Sequence, residues 1–368
     1  MVSGMESIPD GNAGSIATAD RRQPTLKDVA ARAGVSVSTV ARVLHNQGYV
    51  APETREVVAA ALAESGYQLN AVAQGLRKRR TTEIGHILHS ISPNPFFAQV
   101  ALGSEQAAAE HGRTVVLYNT NGEPDAERLG VEALIRRRVE AILFTTVTDP
   151  ANVELAVAAG IPVVQVERLS GIETHAVTVD NYRGAFEAAD HLLALGHRRI
   201  ACLGVDPASR AQSGPRHRRV VERERLSGFL DAHASHGIEV DDDLVILGES
   251  YYDLDAARRA AGCWLALPPA ARPTAIFATC DILAAGVLQQ AYGDGMRVPA
   301  DLSLVGFDDT VGDHLSPPLT TVRQPMAELG RTAVRLAMAA IEAGPRAKPL
   351  RERLATDLVI RASTGPPR

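Results

Sequence analysis

The stretch Pro24–Leu44, "PTLKDVAARAGVSVSTVARVL", contains two short helix-forming segments on either side of Gly34. Thr25 is followed three positions later by Asp28, which is a capping-box pattern at a helix start. Apolar residues then recur at helical spacing, so we expect a first helix over about 26–32. Gly34 follows as the residue that ends this helix in the left-handed conformation.

A second helix is expected directly after Ser36, whose side chain can cap it. Its inward face carries Val40, Val43 and Leu44. Its outward face carries Val37, Ser38, Ala41 and Arg42. Outward residues in the first turn of such a second helix are those that a helix-turn-helix places against base edges in the major groove. The alternative interpretation is a helical hairpin without a role in DNA reading.

A third helix and a shorter helical turn follow in the sequence. Pro52 begins "PETREVVAAALAESG" and Gly66 ends it, as expected for a helix with proline at its start and glycine after its end. Asn70 can then cap a turn that includes Leu76, but this segment is too short to form a stable helix alone. We expect a helix-turn-helix domain over 24–69 and a linker over 70–81. Residues 1–23 are rich in Gly, Ser, Ala and Asp, which predicts a disordered tail.

Charge separates this head from the remainder of the chain. The whole chain has a net charge of −5, yet residues 21–80 carry ten Lys or Arg against four acids, a net +6. A basic head on an acidic body is typical of a nucleic-acid reader whose body should not contact the polyanion. A chance cluster of solvated charges is the alternative.

From residue 83 onward, short apolar segments alternate with amphipathic helical patterns. The expected strands are "IGHIL", "TVVLYN", "AILFTTV", "IPVVQVE", "RIACLGV", "LVILGE", "TAIFATC" and "LSLVGFDD". This alternation predicts an α/β body with parallel, doubly wound sheets that binds ligands beyond the carboxyl ends of the strands.

Several classes of protein are disfavoured by the composition and by missing motifs. Apolar residues make up 45% of the chain, but no run approaches the roughly 20 residues of a membrane span. The amino terminus lacks a signal-peptide pattern, and the three cysteines form no disulfide framework, so we expect a cytoplasmic, nucleoid-associated protein. No GxxxxGK, GxSxG or HExxH motif occurs, so we expect no enzyme activity, cofactor or metal.

The sequence "TLKDVAARAGVSVSTVARVLHNQGYVAPETREVVAAALAESGYQLNAVAQGLR" resembles the DNA-binding head and hinge of the LacI/GalR family of bacterial transcriptional regulators. The resemblance continues through "LIRRRVEAILF", "HLLALGHRRIACLG", "RVPADLSLVGFDD" and "PPLTTVRQP" and covers about residues 25–363. It implies a three-helix head and hinge followed by a two-lobed, periplasmic-binding-protein-like body over 82–363.

The resemblance assigns DNA-binding roles to positions of the head. Val37 and Ser38 fall where the family reads bases, and Leu76 falls where paired hinge helices push an apolar wedge into the minor groove. The DNA-binding candidates are Thr25, Ser36, Val37, Ser38, Thr39, Arg42, Asn70, Ala73 and Leu76. Ala41 departs from the common serine, which removes one hydroxyl, and Gly75 lowers the helix propensity of the hinge.

The resemblance also implies two lobes that enclose an effector cleft and mediate dimerisation. The first lobe is expected over about 82–181 and 324–344, and the second over about 182–323 and 345–363. The effector-binding candidates are Phe96, Phe97, Thr145, Asp180, Arg219, Arg225, Tyr251, Asp281 and Asp308. Asp281 could instead cap the helix that follows it, and we expect one of the two phenylalanines to pack between the lobes. Cys280 stands where asparagine is common.

The function implied is a ligand-responsive repressor that binds a palindromic DNA operator as a homodimer. A small-molecule effector, with carbohydrate as the default, releases it. A purine or nucleoside corepressor and an activator role remain open within the family. A solute-binding protein and an enzyme are the alternatives from other classes. The tail "RASTGPPR" carries no leucine heptads, which disfavours a coiled-coil tetramer.

Overall fold

The structure is a computed structural model that describes residues 24–44, 47–66, 81–92, 94–204, 220–246, 254–344 and 348–368. The chain divides into two compact units, Met1–Arg77 and Lys78–Arg368, which we call the head and the body. The hinge candidates Asn70, Ala73 and Leu76 lie outside the described residues, as do Arg219 and Tyr251.

The described part of the head consists of three helices around a small core. They are α1 (Leu26–Ala33), α2 (Val37–Leu44) and α3 (Pro52–Ser65). The predicted capping box is confirmed, because the Thr25 amide donates to Asp28 at 2.7 Å while the Asp28 amide donates to the Thr25 hydroxyl at 3.4 Å. Gly34 ends α1 at φ +65°, as its position predicted. One fully buried valine from each helix, Val29, Val40 and Val58, forms the centre of the core.

The body contains eight α-helices and twelve strands among its described residues. The helices are α4 (Pro95–Glu110), α5 (Pro124–Arg137), α6 (Pro150–Ala158), α7 (Asn181–Ala194), α8 (Val220–Ser235), α9 (Leu254–Leu265), α10 (Asp281–Gly293) and α11 (Met326–Ala343). The strands are β1 (Glu83–Leu88), β2 (Thr114–Asn119), β3 (Ala141–Thr145), β4 (Val163–Val166), β5 (His175–Val179), β6 (Ile200–Leu203), β7 (Val245–Ile246), β8 (Ala275–Ala278), β9 (Ser303–Asp308), β10 (Thr320–Arg323), β11 (Arg351–Leu354) and β12 (Asp357–Val359).

These strands form two six-stranded sheets, which define the two lobes. The first sheet has the order β11-β5-β4-β3-β1-β2, and the second has the order β12-β10-β9-β8-β6-β7. All pairings are parallel except β10 with β12. The predicted two-lobed α/β body with parallel sheets is therefore confirmed, and each of the eight expected strands is present.

Each sheet is buried on both faces because alternate strand residues enter different cores. In β3, Leu143 packs in one core with α4 and α11, whereas Ile142 and Phe144 pack in another with α5 and α6. In β8, Ile276 packs toward α9 and α10, whereas Phe277 packs toward α7 and α8. This two-sided burial explains why the central strands of each sheet are continuously apolar.

Two glycines allow α4 and α11 to lie in direct backbone contact. A Cβ on Gly103 would lie 2.1 Å from the Ala327 carbonyl oxygen, and one on Gly330 would lie 2.1 Å from the Val100 carbonyl oxygen. Only glycine fits at either position, because the obstructing atoms belong to backbone. The two helices therefore pack closely against each other on one face of the first sheet.

The last crossing between the lobes differs from the expectation. The sequence predicted that the chain returns to the second lobe near residue 345, but β11 pairs in parallel with β5 at the edge of the first sheet. Arg335 of α11 helps to hold β11 there by donating to both carboxylate oxygens of Glu352, at 2.9 and 2.6 Å. The return therefore occurs between Leu354 and Asp357, at the start of β12.

Candidate DNA-reading helix and interlobe cleft

The outward face of α2 presents the side chains expected to read DNA. Val37, Ser38 and Arg42 are exposed, and Val37 is 41% exposed although it is apolar. Val40 on the opposite face is fully buried. An exposed valine in the first turn of a helix suits apolar contact with a base edge, and Arg42 one turn later suits a base or phosphate contact.

Three hydroxyl groups organise the start of this helix. The Ser36 hydroxyl accepts from the Thr39 amide at 3.1 Å and lies 2.8 Å from the hydroxyls of Ser38 and Thr39. Ser36 therefore caps α2, as expected. Thr25 likewise caps α1, so these residues orient the helices in addition to any contact with DNA.

Strained backbone marks the carboxyl ends of the strands in the body. Thr146 after β3, Glu167 after β4, Asp308 at the end of β9 and Asp309 next to it have φ values of 66°, 69°, 109° and 59°. Such conformations cost about 1–3 kcal/mol each for residues other than glycine and cluster at ligand sites. The strain therefore lies where doubly wound sheets bind ligands.

Glu167 and Asp308 both line a cavity between the lobes. The cavity has a volume of about 20 Å³, enough for about one water molecule, so the described side chains close the cleft almost completely. Its charged lining residues are Glu167, Arg168, Glu222, Arg225 and Asp308. The remaining described lining residues are Asn94, Phe96, Gly204, Val221, Thr279, Cys280 and Gln324.

Arg225 lines the cavity from the second lobe and is 6% exposed. Its Nε donates to Asn181 Oδ1 at 2.8 Å, and its Nη1 donates to the Thr279 carbonyl at 2.5 Å. The guanidinium carbon lies 3.7 Å from the centre of the Phe307 ring, and Nη1 lies 3.9 Å from Asp308 Oδ1. These contacts fix the guanidinium in a single orientation toward the cavity.

Asp308 connects the two lobes through its carboxylate. Asn94 of the first lobe donates to its Oδ2 at 3.1 Å, and Gln324, just after β10, donates to its Oδ1 at 2.6 Å. Burial raises the pKa of Asp308 to about 6, although the nearby Arg225 guanidinium and these two hydrogen bonds oppose the rise. A buried carboxylate with fixed donors can bind ligand hydroxyls in a defined orientation.

A second connection across the cleft is an ion-pair cluster. Arg168, just after β4 in the first lobe, places Nε 3.1 Å from Glu167 Oε2 and Nη1 2.5 Å from Glu222 Oε1. Glu222 lies on α8 in the second lobe and is 3% exposed. One guanidinium thus joins a carboxylate from each lobe.

Asp281 was expected to contact the effector or to cap a helix, and the structure places it in neither position. It is the first residue of α10, whose N-cap is Cys280, and it does not line the cavity. Its buried carboxylate accepts from the Thr310 amide at 2.7 Å and from the Thr321 hydroxyl at 2.6 Å. Burial, with Asp308 nearby, raises the pKa of Asp281 to about 7. Asp281 therefore supports the turn after β9 from inside the second lobe.

Three other candidates lie beside the cleft without lining the cavity. Thr145 bonds to His86 Nε2 at 2.7 Å within the first sheet, and Asp180 caps α7 by accepting from the Arg183 amide at 3.0 Å. Phe97 is 1% exposed and packs edge-on against Phe96, with ring centres 5.3 Å apart. Of the two phenylalanines, Phe96 is the one that lines the cavity.

Several lining residues were not expected from the sequence. Asn94, Glu167, Arg168, Glu222 and Gln324 carry polar side chains into the cavity but were not among the candidates. Glu167 ends the expected strand "IPVVQVE" and Asn94 follows the first expected strand, so position alone could have indicated these two. Glu222 lies in the charged run "VVERERL" of α8, where nothing in the sequence distinguishes it from exposed charges.

A larger cavity of about 360 Å³ lies at the amino ends of β3, β4 and β5, away from the cleft. Its lining is mostly apolar. Glu140 on its wall pairs with Arg113 at 3.1 Å, and His175 accepts from the Leu350 amide at 3.2 Å. These polar groups are thus engaged within the first lobe.

The raised pKa of Asp308 predicts a pH dependence of stability. The folded protein holds this proton more tightly than the unfolded chain does. Its contribution to the free energy of unfolding is therefore full below about pH 4 and is lost as the pH rises through about 6. We expect the wild type to lose stability relative to Asp308→Asn over this range, as measured by urea unfolding at several pH values. Asp313→Asn, at an exposed carboxylate, is the control, and parallel curves for wild type and Asp308→Asn would contradict the prediction.

Neither a metal centre nor a membrane-spanning helix is found among the described residues. Across the described ranges, no group of histidine, cysteine and carboxylate side chains is arranged to hold a metal ion. Within the same part of the chain, no helix combines the length and apolar character that a membrane span needs.

Comparisons with known proteins place the head and the body in one family. Residues 25–70 match the model for bacterial regulatory proteins of the lacI family, and residues 189–364 match a periplasmic binding protein-like domain. The chain is 34% identical to the HTH-type transcriptional regulator DegA of Bacillus subtilis, over 93% of this chain and 98% of DegA.

Solved structures agree with this match. The complex of the transcriptional regulator CelR with cellobiose is similar with a TM-score of 0.68 and 31% identity, over 92% of this chain and 99% of that chain. The lac repressor dimer bound to operator and the anti-inducer ONPF is similar with a TM-score of 0.80 and 28% identity, over 94% of this chain and 100% of that chain. The chain has a helix-turn-helix head and a two-lobed body, and it is 34% identical to DegA along nearly its whole length. It therefore belongs to the LacI family of bacterial regulatory proteins.

Proposed function

We propose that this protein is an effector-controlled transcriptional repressor that binds a palindromic operator as a homodimer. The observation that carries the proposal is the presence, in one chain, of a helix-turn-helix whose second helix exposes Val37, Ser38 and Arg42 and of a cleft lined by buried charges from both lobes. The first feature suits recognition of a half-site, and the second suits a small polar ligand.

The dimer follows from the size of the head. One helix-turn-helix reads only a half-site, so specific affinity requires two heads at a fixed spacing. The lac repressor, a similar structure, is a dimer bound to operator. Leu102 on α4 and Leu117 on the edge strand β2 are 46% and 47% exposed, which provides apolar surface for pairing between bodies.

The proposed effector is a carbohydrate that joins the two walls of the cleft. Asp308 and Gln324 offer acceptors and donors for vicinal hydroxyl groups, and Phe96 offers an apolar face for a sugar ring. CelR, a relative, is known in complex with cellobiose. The expected sites are the cleft for the effector and α2 for the operator, within a cytoplasmic, nucleoid-associated protein.

The mechanism couples these sites through lobe closure. A sugar that binds between the walls changes the balance between closed and open lobes, and the lobe geometry sets the positions of the two heads of a dimer. Operator and effector then influence each other through one coupling free energy that acts equally in both directions.

The test is a selection of DNA duplexes from a randomised pool by the full-length protein, followed by a release assay. We expect recovery of an inverted repeat and release of the labelled duplex by one or more members of a panel of sugars, sugar phosphates and nucleosides. Recovery of no sequence would reject the repressor, and release only by nucleosides would reject the carbohydrate.

A further inference from the structure

We propose that Glu222 is a specificity-determining residue of the cleft, which it closes to anionic effectors by holding the Arg168 guanidinium across the two lobes. The effector is then an uncharged or positively charged polyhydroxylated molecule. This inference rests on the proposed function for the premise that an effector occupies this cleft.

An anion that enters from the first lobe would need the Arg168 guanidinium. It lies 2.5 Å from Glu222 and 3.1 Å from Glu167, and the side chains of Arg168 and Glu222 are 10% and 4% exposed. Arg168 is thus shared between two buried carboxylates before any ligand arrives.

Arg225 supplies the guanidinium of the opposite wall. It donates to Asn181 and to the Thr279 carbonyl, and its face lies against Phe307. Asp308 lies beside it at 3.9 Å. Arg225 is therefore also engaged within the protein.

Negative charge exceeds positive charge in the described lining of the cavity. The three carboxylates of Glu167, Glu222 and Asp308 face the two guanidiniums of Arg168 and Arg225. An anion would meet this excess of negative charge and could recruit Arg168 only by taking it from Glu222. Because removing one partner of a buried ion pair leaves an uncompensated charge, that exchange is strongly unfavourable. A neutral sugar avoids it, and a ligand ammonium group would offset the excess.

The test uses inorganic phosphate as the probe and the full-length protein without DNA. In Glu222→Gln the amide keeps the size of the side chain but no longer neutralises Arg168. We expect phosphate to bind Glu222→Gln at least about tenfold more tightly than the wild type in isothermal titration at constant ionic strength, because a charge-assisted contact becomes accessible.

Two variants locate the gain in the cleft. Glu187→Gln is the matched control, because Glu187 accepts from Arg183 at 2.7 Å at the surface of the second lobe, and it should bind phosphate like the wild type. The double variant Arg168→Gln/Glu222→Gln should lose the gain. Phosphate binding to the basic head contributes equally to every protein compared and therefore cancels.

Equal phosphate affinity in Glu222→Gln and the wild type would overturn the proposal. Weaker phosphate binding in Arg168→Gln than in the wild type would also overturn it, because Arg168 would then already be open to anions. Glu222→Ser replaces Glu222→Gln if the latter does not fold by circular dichroism. Since neither DNA nor a sugar enters this test, its outcome is separate from that of the operator-release assay.

Discussion

Replacing Arg225 with alanine is expected to weaken effector binding by about 100-fold or more while leaving operator affinity within about twofold of the wild type. The guanidinium donates to Asn181 Oδ1 and to the Thr279 carbonyl, and its Nη1 lies 3.9 Å from Asp308 Oδ1. Its loss leaves the Asp308 carboxylate without its nearest positive charge in a buried wall. The measurement is a titration of the operator complex with a releasing sugar, in which fluorescence anisotropy reports the release of the labelled operator.

Arg223→Ala is the control for this variant, because Arg223 lies on the same helix, α8, and is exposed. It should respond to the sugar like the wild type. A fully responsive Arg225→Ala would show that the effector does not use this wall of the cleft. Circular dichroism and the melting temperature establish that the second lobe still folds.

Replacing Arg42 with alanine is expected to weaken operator binding and to leave effector binding unchanged. Operator affinity should fall about 10- to 100-fold, since one good base or phosphate contact contributes about 1–3 kcal/mol. Effector affinity of the free protein should not change, because Arg42 lies on α2 in the head. If Arg42 contacts a base, the variant loses affinity only for operators that carry that base at the contacted position. If Arg42 contacts a phosphate, the variant loses affinity for all sequences and its binding depends less on salt.

Arg32→Ala removes the same charge from the head and serves as the control. Arg32 pairs with Glu64 of α3 at 3.8 Å, away from the first turn of α2. It should therefore retain most of the operator affinity. Equal losses in the two variants would contradict a specific role for Arg42 and indicate only a general effect of charge.

The features that sequence predicted best are those determined by local contacts. Thr25 and Asp28 are three residues apart and Gly34 acts through its own backbone, so the start and end of α1 follow from neighbouring residues alone. The continuous apolar strands likewise predict sheets that are buried on both faces. Strand β11 was missed because "RERL" has no apolar pattern, and its place depends on pairing with β5 and on Arg335.

The cleft was predicted less completely because its contacts join distant parts of the chain. Asn94 and Asp308 are separated by 214 positions, and Arg168 meets Glu222 only when two lobes come together. The charge of Glu222 gave no sign of its partner. Asp281 shows the converse problem, since a carboxylate at a helix start suggests a cap or a ligand contact, while its actual partners, Thr310 and Thr321, are remote in sequence.

The most direct test of an effector-controlled repressor is the affinity of one sugar for the protein measured with and without operator, together with the affinity of the operator with and without that sugar. The sugar should weaken operator binding by a factor of about 5–150, and the operator should weaken sugar binding by the same factor, because a single coupling free energy joins the cleft to the heads. A sugar that binds in the cleft without changing operator affinity would contradict the account.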